Sequence, residues 1–173
     1  MVTKWQPPDP PWIKFNVKGA YIEVTGRSGG GGIFRNPHGN LVSAFLAPLA
    51  AKSELEAELE MICRDLSHAR GCGHRTWVET SSRQAPPLIN KGEWGPANVR
   101  HLMVNIRHLM AESNSRISTT HYVGNKAAAL LAQLGIEATL RQTIAEDSAP
   151  RLLRAIIHLE KSGTPYISLR GDG

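Results

Sequence analysis

The sequence predicts an α/β domain in which a strand meander comes first and helices then alternate with further strands. Three observations carry this. Trp12 to Val17 alternates, with Ile13, Phe15 and Val17 on one side and Lys14 and Asn16 on the other, the period-two pattern of a half-buried strand. Ser53 to Ala69 places Leu55, Leu59, Ile62, Leu66 and Ala69 at helical spacing, so that a turn of about 100° per residue gathers them on one face. The segments that follow return to each pattern in turn, giving the order β-β-β-α-β-α-α-β-α.

Residues 1–11 read as an extended lead-in, because Pro7, Pro8, Pro10 and Pro11 remove backbone donors and fix the chain. The first strand follows. Arg27 to Gly32 is glycine-rich, but no Lys-Ser/Thr pair follows and no helix opens after it, so it reads as a loop running into a strand and not as a phosphate cradle. Gly31 to Arg35 and Leu41 to Leu46 flank Asn36-Pro37-His38-Gly39-Asn40, whose Pro and Gly suit a reverse turn between antiparallel strands. These three strands form the meander.

The helix of Ser53 to Ala69 is marked at both ends. Ser53 with Glu56 makes a capping box, and Gly71 and Gly73 supply a stop. Thr76 to Thr80 reads as a fourth strand, with Ser81 and Ser82 as helix caps after it. Pro86 and Pro87 then limit any helix there to a short turn. Ala97 to Glu112 recovers a clean stripe of Val99, Leu102, Met103, Ile106, Leu109 and Met110, with Arg100, His101, Arg107 and His108 on the other side as a solvated face or a phosphate contact. Arg116 to Tyr122 is a fifth strand, and Asn125 to Leu134 an alanine-rich helix ended by Gly135. A domain over residues 12–135 is therefore expected, followed by a tail, 136–173, with one helix: Pro150 opens it, Leu152, Leu153, Ile156 and Ile157 form its stripe, and Gly163 closes it.

At 173 residues the chain supports one well-buried core. A formal charge of +5 and a pI near 9.5 favour a polyanionic partner. Cys63 and Cys72 give neither a disulfide framework nor metal-ligand spacing, which points to a reducing compartment. Met1 to Pro11 lacks the apolar core of a signal peptide or membrane span, so the expected location is cytoplasm or nucleus, with no membrane partner. Arg170-Gly171-Asp172, the integrin-binding tripeptide, reads as a chance match in such a chain.

Glu58 stands out within the helix. It lies roughly 60° off the centre of the apolar stripe, where the helix would meet a sheet edge, so it is either a flank charge or part of a site.

An ordered series of short motifs bears on that choice: Trp5-Gln6-Pro7-Pro8, Trp12 to Gly19, Gly31-Gly32-Ile33-Phe34-Arg35, Gly39-Asn40, Leu55-Glu56-Ala57-Glu58-Leu59, Val78-Glu79-Thr80-Ser81-Ser82 and Asn125 to Ala132. Together they resemble the type 1 ribonuclease H-like domain common in plants and plant retroelements, over about Trp5 to Gly135. The resemblance implies a ribonuclease H-like five-stranded mixed sheet, three antiparallel strands then two parallel ones, with helices on both faces and the C-terminal helical tail outside it. In that family four carboxylates hold two magnesium ions that drive cleavage of the RNA strand of an RNA–DNA hybrid.

Of the four acidic positions that the resemblance implies, this sequence matches one, Glu58. Lys18 stands in the first, within Asn16-Val17-Lys18-Gly19; Ser81 in the third, within Glu79-Thr80-Ser81-Ser82; Ala129 in the fourth, within the last helix. Neither Glu79 nor Asp65 is placed to substitute, the first lying about 6.6 Å back along its strand and the second two turns beyond Glu58. His121 matches a family histidine, but Tyr122-Val123-Gly124 replaces what normally follows it. An ammonium at position 18 repels an incoming cation by about 1 kcal/mol at 4 Å in water and several-fold more when buried. Two placements of Lys18 stay open: an ion pair with Glu58 across the site, or an outward-facing side chain.

The resulting expectation is a non-catalytic ribonuclease H-like domain that binds nucleic acid or protein, without cofactor. The alternatives are an active RNA–DNA hybrid ribonuclease with a non-standard ligand set, which alone would require magnesium, and a pure protein-interaction module. The expected partner is an RNA–DNA hybrid or other structured nucleic acid, or a protein. Lys14, Arg27, Arg35 and Arg83 are the candidate contacts to a duplex backbone.

Overall fold

The structure, a computed structural model, describes residues 1–167; Arg170-Gly171-Asp172 lies outside the described residues. Its strands are β1 (Val2–Thr3), β2 (Ile13–Ile22), β3 (Arg27–Arg35), β4 (Leu41–Leu49), β5 (Thr76–Thr80), β6 (Arg116–Thr119), β7 (Gln142–Ile144) and β8 (Tyr166–Ile167). Its helices are α1 (Glu54–Gly71), α2 (Ala85–Asn90), α3 (Arg100–Ser113), α4 (Lys126–Glu137) and α5 (Arg151–Lys161). The main sheet runs β6-β5-β2-β3-β4-β7. β2, β3 and β4 pair antiparallel, while β5 lies parallel to β2 and β6 parallel to β5.

The five expected strands are thus present in the expected mixed arrangement. A sixth, β7, comes from beyond Gly135 and pairs antiparallel with the edge of β4 through Ala44–Ile144 and Leu46–Gln142. A separate two-stranded ribbon joins β1 to β8, the two ends of the described chain.

Each face of the sheet has its own core. On one, Phe15, Val17, Phe34 and Val78 pack under Leu59, Ile62 and Leu66 of α1 and Met103 and Ile106 of α3. On the other, Ile33, Ala44 and Leu46 pack under Ala127 and Leu131 of α4, joined by Ile144, Ala149 and Leu153 from the tail. The strand alternation therefore sends Phe15 and Val17 to the α1 side and Lys14 and Asn16 to the other.

Two glycines set how closely the helices approach. A Cβ on Gly31 would fall 2.4 Å from Ala132 N, and one on Gly19 would fall 2.1 Å from Glu58 N, so α4 lies against β3 and α1 against the end of β2. The glycine-rich stretch from Arg27 is strand throughout, where a loop was expected at its start. The same packing explains a second difference. Gly135 does not end α4 but sits inside it, buried, where a Cβ would meet Gly30 O at 2.7 Å and Ala47 O at 2.8 Å.

Among the described residues no helix is long and apolar enough to cross a membrane.

Candidate functional site

The site forms where β5 ends beside β2, which runs on to Ile22 paired with β3 alone. Their parallel register closes with Val17 opposite Thr80, which brings Lys18 and Ser81 to the same end of the sheet. α1 crosses this end closely enough to bury Glu58 against the Gly19 backbone. The Gly19 N–H donates to Glu58 Oε2, and the Thr80 hydroxyl donates to Oε1. Both carboxylate oxygens are thereby engaged by neutral groups. Burial pushes the Glu58 carboxyl up to about 7, against the pull of the Thr80 and Gly19 hydrogen bonds and the Lys18 charge.

Lys18 does not pair with Glu58. Its ammonium turns to Glu54 at the start of α1, with Nζ 2.7 Å from Oε1, and both side chains are partly exposed. Gly19 lies against the α1 backbone, so position 18 alternates to the other side of the strand, and its long side chain meets Glu54 in the exposed first turn of α1.

The remaining predicted positions are set around this pair. Asn125, just before α4, is buried and donates through Nδ2 to Val17 O at 2.9 Å and lies 3.4 Å from Ser81 Oγ. It ties the start of α4 to β2 and to the exit of β5. Ala129, one turn into α4, is exposed. His121 accepts from the Val123 N–H at 3.3 Å and caps the turn leading to α4. Glu79 and Asp65 are both engaged elsewhere, Glu79 with Lys14 and Asn16, and Asp65 with Arg141 at 2.6 Å. Burial raises the Asp65 carboxyl to about 6 despite that partner. Among the described residues no group of three or more His, Cys, Asp or Glu side chains is arranged to hold a metal ion.

Two of the four expected duplex contacts are corrected by burial. Lys14 and Arg35 are each 1% exposed and serve the interior. Lys14 Nζ lies 3.1 Å from Glu79 Oε2 and donates to Gln6 O at 2.6 Å. Arg35 pairs with Glu160 of α5 at 2.5 Å and donates to Asn16 Oδ1 at 3.0 Å. Arg27 is half exposed but spans to Ile136 O at 2.8 Å and Glu137 at 3.5 Å, and Arg83 is exposed.

Sequence reasoning missed the partners of this interior network. Trp5 is 2% exposed, donates from Nε1 to Asn16 Oδ1 at 3.0 Å, and lies under the Arg35 guanidinium, whose carbon is 3.7 Å from the ring centroid. A tryptophan among prolines was the available signal. Nothing in the sequence marked Glu160, which sits 125 residues from its partner on a helix read only for its apolar stripe.

This sheet order and its two helical faces have known counterparts. A family profile described as reverse transcriptase-like matches residues 16–135. The chain belongs to this family. Its fold is that of ribonuclease H. RNase H1 from the halophilic archaeon Halobacterium salinarum superposes with a TM-score of 0.67 at 16% identity, over 73% of this chain and 98% of that one. LC11-RNase H1, isolated from compost and solved in complex with an RNA/DNA hybrid, gives 0.66 at 18% over 72% and 96%. The foamy viral protease-reverse transcriptase, also solved with an RNA/DNA hybrid, gives 0.63 at 18% over 79% of this chain and 22% of that one. No curated protein sequence matches the chain.

Proposed function

We propose that this ribonuclease H-like domain binds nucleic acid, with RNA–DNA hybrid as its ligand, and does not cut it. The observation that carries the reading is the state of Glu58. A pair of magnesium ions needs several convergent carboxylate oxygens. Here the single acid among the four family positions is buried, has both oxygens engaged by Gly19 and Thr80, and stands beside a strand end bearing Lys18. That donor set does not fit a two-magnesium centre.

Retention of the scaffold supports the binding half. The similar LC11 and foamy viral proteins are seen with RNA/DNA hybrid, and the family and viral likenesses support a retroelement origin. With a net charge of +5, contact through phosphates and groove shape is the mode that the chemistry favours.

A labelled RNA–DNA hybrid incubated with the purified chain in magnesium or manganese is expected to stay intact, while a mobility shift of the same duplex shows a complex weakened by salt. Cleavage abolished by chelation and by Glu58→Gln would overturn the non-catalytic reading. Absence of any shift at low salt would overturn the binding reading.

A further inference from the structure

The start of β2 carries an alternating ladder of cations and indoles that the site at its other end does not use. The sheet registers set Arg35, Lys14, Trp77 and Arg116 in one row across β3, β2, β5 and β6. Trp5, from the lead-in, and Trp12, just before β2, complete it. Trp5 lies under Arg35 at 3.7 Å and Lys14 at 5.6 Å; Trp77 receives Lys14 and Arg116, each at 4.1 Å; Trp12 receives Arg116 at 4.4 Å and Arg75 at 5.2 Å. The order is Arg35, Trp5, Lys14, Trp77, Arg116, Trp12, Arg75.

The two halves of this ladder differ in their counter-charges. The inner cations, Arg35 and Lys14, are buried and each has its carboxylate, Glu160 and Glu79. The outer cations, Arg116 and Arg75, are exposed, and among the described residues neither guanidinium has a hydrogen-bond acceptor or an ion-pair partner. Arg116 is nevertheless held in place by two rings. A stacked guanidinium keeps its in-plane N–H donors free, and their fork matches the oxygens of a phosphate.

We propose that Arg116 and Arg75, steadied by Trp12 and Trp77, bind the phosphodiester backbone of nucleic acid, an inference that rests on the nucleic-acid reading above. Phosphate is favoured over base stacking because the rings already carry cations, Lys14 and Arg116 over Trp77 and Arg116 and Arg75 over Trp12. The row lies four residues before Lys18, about 13 Å along the strand, so a bound strand would engage it and the Glu58 end of the sheet as separate points.

The test measures affinity of the full chain for a fluorescent RNA–DNA hybrid across a salt series, for the unaltered protein, Arg75→Gln/Arg116→Gln and Arg116→Lys. The double variant is expected to bind about tenfold more weakly at low salt, with the slope of log K against log salt reduced by roughly two, close to one for each phosphate no longer neutralised. Arg116→Lys should recover the slope but only part of the affinity, since it restores charge without the fork. It also supplies the comparison if the double variant has an altered circular dichroism spectrum. Equal affinity and slope in all three chains overturns the inference and leaves nucleic-acid binding standing. Absence of hybrid binding by the unaltered chain overturns both. Displacement of the hybrid by polyglutamate of equal charge, with the same dependence on Arg116, overturns the phosphate assignment in favour of an acidic protein partner.

Discussion

The two ends of β2 handle buried charge in opposite ways. At its start, Lys14 and Arg35 each meet a carboxylate in direct contact, Glu79 at 3.1 Å and Glu160 at 2.5 Å. At its end, Glu58 is just as deeply buried but meets only an amide and a hydroxyl, while the nearest ammonium, Lys18, has gone to the surface to join Glu54. Burial lowers both cations at the start from their ordinary values, and their carboxylates oppose it. Burial raises Glu58 to about 7, and neutral hydrogen bonds do not hold it down. The difference teaches that burial works against the charged form at both ends of this network, and that an opposite charge in direct contact opposes it at Lys14 and Arg35 while Glu58 has only neutral contacts to do so.

The contrast breaks most visibly at the Arg35–Glu160 pair. Removing either partner strands a charge in the core, so Arg35→Ala or Glu160→Ala should each cost about 3–5 kcal/mol in denaturant unfolding. Replacing both, as Arg35→Met with Glu160→Leu, should recover most of that loss, because the cost comes from the uncompensated ion and not from the missing bridge. A double variant as unstable as the singles would show that the pair itself holds α5 to the sheet.

Glu58 gives the next largest effect, and its sign is fixed by linkage. Its folded value of about 7 lies above the ordinary 4.5, so the folded chain holds the proton more tightly than the unfolded one. The associated stability is complete below pH 4.5, declines through the window up to about 7, and is lost above it. Glu58→Gln keeps a neutral group of the same shape, accepting from Gly19 and facing Thr80. It should match the parent near pH 4 and exceed it at pH 8 by at most about 3 kcal/mol. Asp65 adds its own slope between 3.8 and about 6, but does so in both chains and cancels from the comparison. Parallel stability curves from pH 4 to 8 would show that Glu58 keeps its charge in the folded state.

These contrasts were legible in the sequence to very different degrees. Periodicity found the strands and helices that make both cores, since the apolar residues of β2 and α1 repeat at the spacing of their own element. It also set Glu58 at the edge of the α1 stripe, leaving open a flank charge or part of a site. What it missed was decided by contacts between elements far apart in sequence. The strand β7 has three residues and too little alternation to read, and exists because the edge of β4 offers it a ladder. Gly135 looked like a stop because glycine usually is one, whereas here two strands approach too closely for a side chain. Lys14 and Arg35 looked like surface cations because lone cations usually are, and only the fold brings Glu79, Glu160 and Trp5 around them. The partner of Lys18 turned on one turn of helix, four residues, between Glu58 and Glu54.

The smallest expected effect sharpens the comparison most. If Lys18 belongs to the surface and not to a buried pair, Lys18→Met removes only a partly exposed contact with Glu54 and should cost under about 1 kcal/mol, less at high salt. Its charge also pulls the Glu58 carboxyl downward from beyond contact distance, so the same variant should move the Glu58 titration to higher pH, followed by carbon-detected NMR of the carboxyl group. The two readouts separate a structural role from an electrostatic one. A small cost with an upward shift places Lys18 outside the pocket but within reach of its field. A cost of several kcal/mol with no shift would mean that the ammonium serves the fold directly, and the two ends of β2 would then follow the same rule.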